Sequence, residues 1–502
     1  MKTLNFLSKR FLEQCKTVCV NRIVVDYQRF GFHDFKQNDT IFALSSGFGK
    51  CGVAVIRVSG DHTKQVIKEI TGCKNLPKPR QAFVSKLRHP KTQVMLDRAL
   101  VMWFSAPNSF TGEDICEFQV HGGPAVIASV LNALSSIKGL RPAAAGDYTK
   151  RAFLNNKLDL TEVEGLGDLI HAETEAQRRQ ALHQMEGSLS VLYKQWSKDL
   201  LKCTAHVEAY IDFSEDQGLH NDLLGNVKNE VKELLQKIRK HLLDKHRGEI
   251  LRSGVRVAIV GEPNVGKSSL LNAIIQRPAA IVSPIAGTTR DVIETSLDIE
   301  GYPVLISDTA GLRDSSNAIE QEGIIRAHKK AEQADLVIFM VDGQNLKNDV
   351  NLEEFLVQHA FKLGIELSIR AENVVVIVNK TDLISSGLLS ELESFKRFPI
   401  ILLSCETFDG FSGFMNLFTK MVQSLCGVTA LGEIPSVTQQ RHRDHLTSCI
   451  EYLESSLNIT EQDIVIAAEY LRMALNEIGK ISGKVGAEEI LDVIFKDFCI
   501  GK

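Results

Sequence analysis

Hydrophobic and polar positions follow four successive patterns along this chain. After about Asn38, short apolar and β-branched runs such as "DTIFALSS", "GVAVIRVSG", "ALVMWFSA" and "ICEFQVHGG" are separated by Gly, Pro and Asn. Runs of this kind, bounded by turn formers, predict strands in an α+β domain. From about Tyr148 to His246 the pattern turns helical. "VEGLGDLIHAETEAQRRQALHQMEG" reads as long and free of turns, and Val227, Val231, Leu234, Leu235, Ile238 and Leu242 recur on one helical face. That stripe is expected to be core. From Val255 to about Cys426, nearly continuous apolar runs ("VRVAIVG", "PVLISDTAG", "ADLVIFMVDG", "NVVVIVNKTD", "FPIILLSC") alternate with helical stretches. Strands apolar on both faces predict a mostly parallel sheet wrapped by helices. After Pro435 the pattern is helical again.

The expected architecture is multidomain, α+β and α/β. An N-terminal α+β domain spans 38–155. A helical domain in two parts, 156–250 and 427–502, is interrupted by an inserted α/β domain, 251–426. Length agrees, because 502 residues exceed one ordinary core and suggest about three domains. With 44% hydrophobic and 24% charged residues, the chain has the composition of a soluble globular protein. No apolar run reaches the roughly 18 residues that a membrane span needs.

Charge changes the picture in two places. The net charge of −4 and pI of about 6.4 mean that any nucleic acid must be met by a local basic patch or through a partner. Residues 1–37 are different in kind. "MKTLNFLSKRFLEQCKTVCVNRIVV" sets Lys2, Lys9, Arg10, Lys16 and Arg22 against one acid, Glu13, and Leu4, Phe6, Leu7, Phe11 and Leu12 suit one apolar helical face. A basic, acid-poor, amphipathic start predicts a mitochondrial transit peptide and a matrix location. The ten cysteines include no CxxC pair, so neither a zinc site nor a disulfide framework is legible, and they read as reduced intracellular thiols.

The candidate chemistry begins at "GEPNVGKSS", which fits G-x-x-x-x-G-K-[ST] with Gly261, Gly266, Lys267 and Ser268 in register, between a predicted strand and helix. Glycines let backbone N–H groups close around phosphates at the helix N-terminus. Lys267 neutralises the β- and γ-phosphates, and the Ser268 hydroxyl suits Mg²⁺. "GTTRD" offers Thr289 as a second Mg²⁺ ligand, and "DTAG" places Asp308 beneath the metal and Gly311 near the γ-phosphate. In "NKTD", Asp382 accepts from the guanine N1–H and 2-amino groups, which adenine lacks, and "LLSC" brings Ser404 and Cys405 near the base. The nucleotide is GTP, and the inserted domain reads as a Ras-like P-loop GTPase domain. Ras-like enzymes orient the attacking water with a Gln after D-x-x-G. Leu312 stands there and cannot do so, which leaves Arg313, Asp314, Glu320 and Glu322 as candidates.

Over nearly everything after Asn38 the sequence resembles the MnmE (TrmE) family of tRNA-modification GTPases, in its mitochondrial branch. The motifs that carry the resemblance are "NDTIFAL", "GVAVIRVSG", "NSFTGEDICEFQVHGG", "AGDYTKRAFLNNKLDLTEVEGLGDLI", "EAYIDFSED", "IAGTTRD", "DTAGLRDSSNAIEQEGI" and the terminal "FCIGK". The resemblance implies K⁺-dependent GTP hydrolysis, with Asn264, Ser283, Ile285 and Thr288 as potassium ligands and Glu320 orienting water. The nucleotide contacts it implies are Asn264, Val265, Gly266, Lys267, Ser268, Ser269, Ser283, Thr288, Thr289, Asp308, Thr309, Ala310, Gly311, Asn379, Lys380, Asp382, Ser404 and Cys405. It further implies a homodimer, an FAD-dependent MnmG-like partner and tRNA as substrate. The N-terminal domain is implied to bind 5-formyltetrahydrofolate or 5,10-methylenetetrahydrofolate through Arg57, Glu117, Lys157 and Lys502. The implied reaction places a carboxymethylaminomethyl or taurinomethyl group on C5 of the wobble uridine, with Cys499 as a nucleophile. "GKCG" at Gly49–Gly52 and Pro284 depart from the family pattern.

Two other readings compete. A ribosome-assembly GTPase of the Era type needs a KH-like or second GTPase module, which the sequence does not show. A prenylated signalling GTPase needs a Cys-a-a-X box, but "CIGK" has Gly at an aliphatic position and Lys at X. Lys502 at a folate site would place the chain end against the N-terminal domain, of the same chain or of a dimer mate.

Overall fold

The computed structural model describes residues 39–47, 49–213, 222–276, 294–307, 331–346, 352–362, 373–385, 392, 399–427, 436–459, 463–485, 494–495 and 498–502. The chain divides into two compact units: residues up to Lys157 together with Phe495–Lys502, and Leu158–Ile494.

The first unit contains β1 (Thr40–Leu44), β2 (Cys51–Ser59), α1 (Thr63–Thr71), β3 (Phe83–Arg88), β4 (Met95–Phe104), β5 (Ile115–Gly122), α2 (Pro124–Ser135), β6 (Leu140–Pro142) and α3 (Asp147–Leu154). The sheet order is β3-β4-β5-β2-β1-β6, antiparallel except for the β1–β6 pair. Strand alternation sorts the residues of β2. Ala54, Ile56 and Val58 are buried in a cluster with Val66, Ile67 and Ile70 of α1 and Val130, Ala133 and Leu134 of α2. Val55 and Arg57 have the opposite parity and stay partly exposed.

The C-terminal segment completes this unit. Phe495 and Phe498 are buried, Ile500 bridges to Ala145, and Ser45 Oγ donates to the Gly501 carbonyl at 2.9 Å. Gly501 has φ +97°, and a Cβ there would lie 2.2 Å from the Leu44 carbonyl oxygen. Only glycine fits this approach.

The second unit begins with α4 (Leu160–His171), α5 (Glu175–Met185), α6 (Ser188–Phe213), α7 (Asp222–Leu242) and α8 (Arg247–Ser253). The stretch expected to run without turns is broken between α4 and α5. Thr174 caps α5 through the Gln177 N–H, and Gln177 returns a bond to the Thr174 N–H; Asp159 and Glu162 do the same at the start of α4. The second of these boxes starts a new helix where apolar spacing alone reads continuity.

The α/β part follows: β7 (Val255–Gly261), α9 (Lys267–Ile275), β8 (Glu294–Ile299), β9 (Tyr302–Ser307), β10 (Leu336–Asp342), α10 (Leu352–Lys362), β11 (Val374–Asn379), β12 (Ile400–Leu402) and α11 (Phe411–Cys426). The sheet order is β12-β11-β10-β7-β9-β8, parallel except for the β8–β9 pair. Two helices close the unit, α12 (Gln440–Leu457) and α13 (Ile464–Ser482). The predicted stripe of α7 is core: Val227, Val231, Leu234, Leu235 and Ile238 are buried, with Leu242 packed at the edge. They share one cluster with Tyr193 and Trp196 of α6, Leu446 and Leu453 of α12 and Leu471 and Ile478 of α13.

Candidate functional site

The parallel strands β7, β10 and β11 bring their C-terminal ends together. Gly261 lies opposite Met340, and Asp342 opposite Asn379. Chemistry in such sheets gathers at that edge. The turn after β7 contains Asn264 at φ +63° and Gly266 at φ +103°, and α9 begins at Lys267. A Cβ on Gly266 would stand 2.2 Å from Asn379 Nδ2. Lys267 Nζ donates to the carbonyls of Gly261 and Glu262 at 2.8 and 2.7 Å, which folds the ammonium over the loop. Ser268 and Ser269 are exposed in the first turn of α9, where free N–H groups favour anions.

The loop after β11, which carries the "NKTD" motif, is locked onto this turn. Asn379 is buried; its Nδ2 donates to the Val265 carbonyl at 2.7 Å, and its Oδ1 accepts from the Cys405 N–H at 3.0 Å. One side chain therefore ties the phosphate loop to the loop after β12. Ser404 Oγ donates to Asp382 Oδ1 at 2.7 Å, leaving the other carboxylate oxygen for a ligand. Lys380 Nζ is paired with Asp342 at 2.6 Å. Burial pushes the Cys405 thiol up to about 11, partly opposed by its bond with Asn379, which keeps it protonated at neutral pH. The structure thus brings together Asn264, Val265, Gly266, Lys267, Ser268, Ser269, Asn379, Lys380, Asp382, Ser404 and Cys405 on one edge. Ser283, Ile285, Thr288, Thr289, Asp308, Thr309, Ala310, Gly311 and Glu320 lie outside the described residues.

The profile described as "GTP-binding protein TrmE N-terminus" matches residues 40–157, and that described as "MnmE helical domain" matches residues 160–499. The chain belongs to the MnmE/TrmE family. Among MnmE/TrmE relatives, "5-taurinomethyluridine-[tRNA] synthase subunit GTPB3, mitochondrial" of Danio rerio is 48% identical over 99% of this chain and 100% of its own length. The Homo sapiens protein of the same name is 48% identical, covering 92% of this chain and 93% of its own. "tRNA modification GTPase MnmE" of Rickettsia bellii is 45% identical, covering 92% and 100%.

A second set of residues meets in the N-terminal unit of this MnmE/TrmE chain. Register places Arg57 opposite Glu117, and Arg57 Nε donates to Glu117 Oε1 at 3.0 Å. The guanidinium lies 5.7 Å from the Phe110 ring centre and 5.6 Å from that of Tyr148, whose hydroxyl donates to the Arg57 carbonyl. Lys502 is half-buried beside them. Burial first, then the Arg57 charge, lowers its ammonium below the usual lysine range, against the opposing pull of Cys499 and Glu117. Cys499 itself is exposed. Lys157 packs beside Gly112, its Cε 3.3 Å from where a Cβ on that glycine would stand.

Sequence reasoning missed Phe110, Tyr148 and Asp342. The first two lie inside quoted motifs, and Asp342 was visible as an acid closing the apolar strand "LVIFMVD".

Among the described residues no His, Cys, Asp and Glu cluster suits a metal, and no helix is long and apolar enough to cross a membrane. Hard oxygen donors on the phosphate loop, the exposed Asn264 amide and the Ser268 hydroxyl, fit K⁺ and Mg²⁺ chemically.

Proposed function

We propose that this chain is a potassium-dependent, mitochondrial GTPase that places the C5 substituent, taurinomethyl or carboxymethylaminomethyl, on the wobble uridine of mitochondrial tRNAs. It works as a homodimer with an FAD-dependent MnmG-like partner and draws its one-carbon unit from a tetrahydrofolate. One observation carries the reading. A reader loop locked to a phosphate loop through Asn379 occurs in a chain alike, over almost its full length, to proteins named as 5-taurinomethyluridine synthase subunits.

The domain reading has residues 1–37 as transit peptide, 38–155 as folate domain, and a helical domain of 156–250 and 427–502 interrupted by the GTPase domain 251–426. The shared core of α6, α7, α12 and α13 supports the interruption. In the GTPase domain, Lys267 and the first-turn N–H groups of α9 hold the phosphates, and Asp382 reads guanine. Ser268 and Thr289 would hold Mg²⁺; Asn264, Ser283, Ile285 and Thr288 would hold K⁺; Glu320 would orient water. Potassium, when bound, supplies positive charge where the transition state develops negative charge. In the N-terminal domain, Arg57, Lys157 and Lys502 suit the glutamyl carboxylates of folate, and Glu117 suits the pterin N–H groups. Cys499, exposed near Lys502, is the proposed nucleophile.

Mass analysis of mitochondrial tRNA from cells lacking the protein should show loss of the wobble C5 substituent. Intact modification would refute the function. Replacing K⁺ with Na⁺ should collapse GTP hydrolysis, and equal rates in the two salts would refute the potassium assignment.

A further inference from the structure

We propose that Asp342 is a positioning residue for the guanine nucleotide, acting through Lys380; the inference rests on the guanine-nucleotide reading of this edge. Lys380 sits at φ +63°, a left-handed conformation that non-glycine side chains rarely adopt and that the surroundings must hold in place. The surroundings do so from both ends. Its backbone is pinned between Asn379, which bridges two loops, and the Thr381 N–H, which donates to the Leu403 carbonyl. Its ammonium is pinned by Asp342 Oδ2 at 2.6 Å.

Asp342 is itself fixed. Its second oxygen, Oδ1, accepts the Gln344 N–H at 3.0 Å and so caps the turn Gly343–Asn345. Its backbone is in ladder register with Asn379, so strand pairing sets its height against the reader loop. The carboxylate is mostly buried, where a charge-assisted bond is strong and poorly screened. The four-carbon arm of Lys380 is therefore stretched between the reader loop and Asp342 before any nucleotide arrives. Without the carboxylate, the arm would regain its rotamers and the strained backbone would lose its outer tether. This contact belongs to the base-reading loop and not to the phosphate-holding turn. It should strengthen ground state and transition state alike, which moves KM and leaves kcat.

Asp342→Asn separates the two roles of this side chain. The amide oxygen still accepts the Gln344 N–H, but the charge that holds Lys380 is gone. GTP and GDP affinities, read by calorimetry, should each fall roughly tenfold, with kcat at saturating GTP unchanged. Lys380→Met alone should give a similar loss, and adding Asp342→Asn to it should cost nothing more. Wild-type affinity in Asp342→Asn would mean that Asp342 only caps the turn. Tighter binding would mean that the ion pair competes with nucleotide. An undiminished further loss in the Lys380→Met background would mean that Asp342 acts by another route. Each of these overturns the proposal. A wild-type chain without affinity for GDP would overturn the guanine reading itself.

Discussion

Gly266 admits no side chain. Its φ of +103° lies where other residues are strained, and a Cβ would collide with the Asn379 amide. The group that excludes a side chain is the group that ties the "NKTD" loop to Val265, so the two proposed nucleotide-binding loops meet at one glycine. Gly266→Ala should strain the loop by about 1–3 kcal/mol and weaken GTP binding by about tenfold or more. Calorimetry with unchanged affinity would show that the Asn379 contact does not matter to the site. The cysteines differ just as sharply. Cys51 and Cys499 are exposed, whereas Cys116, Cys203, Cys426 and Cys449 are buried. With its thiol pushed up to about 11, Cys405 is ionised in roughly one molecule per thousand at pH 8. Among the described cysteines, maleimide labelling followed by mass spectrometry should find Cys51 and Cys499 modified first and Cys405 late. Early modification of Cys405 would contradict its burial.

Elements were legible where their chemistry is local. The β10 and β11 strands are apolar on both faces because both faces are covered, and such runs announce a parallel sheet. The α7 stripe announces its buried face. The break between α4 and α5 was missed; its signal is the capping pair in the "TEAQ" that begins at Thr174, which apolar spacing does not read. The cap hydrogen bonds satisfy N–H groups that the first turn of α5 leaves free. Thr174→Ala should therefore cost about 1 kcal/mol, measured by chemical denaturation. A value near zero would mean that tertiary packing alone sets this boundary.

At the scale of the helical part, residues far apart in sequence close one core through a buried charge. Glu164 of α4 accepts from Arg441 at 2.8 Å and pairs with His442 of α12 at 2.7 Å; the glutamate and the histidine are buried. Burial by itself would raise the Glu164 carboxyl, but His442 and Arg441 outweigh it and hold the group down to about 2. A carboxyl lowered on folding stabilises the fold above its unfolded value, here near 4.5. That contribution is lost as pH falls from about 4.5 towards 2. Thermal melts should show a steep loss in this window. Glu164→Gln should lower stability at pH 7 by about 3 kcal/mol, because it leaves the partly buried Arg441 guanidinium without its counter-charge, and should flatten the acid limb. An unchanged acid limb would assign the pH dependence elsewhere.

Contiguous residues carried what is local: the apolar runs of β10 and β11, the stripe of α7, the glycine-bearing turn after β7, the "NKTD" proposed to read guanine, and the family to which the chain belongs. Only the tertiary structure decided which distant groups meet. Arg57 faces Glu117 because the register of β2 against β5 puts it there, and a one-residue slip would turn it to the other face. Lys502 reaches that pair because Gly501 lets the chain end approach Leu44. Asp342 reaches Lys380 because two parallel strands end at the same height. Register and chain closure come from the packing of side chains far apart in sequence, and no local pattern encodes them.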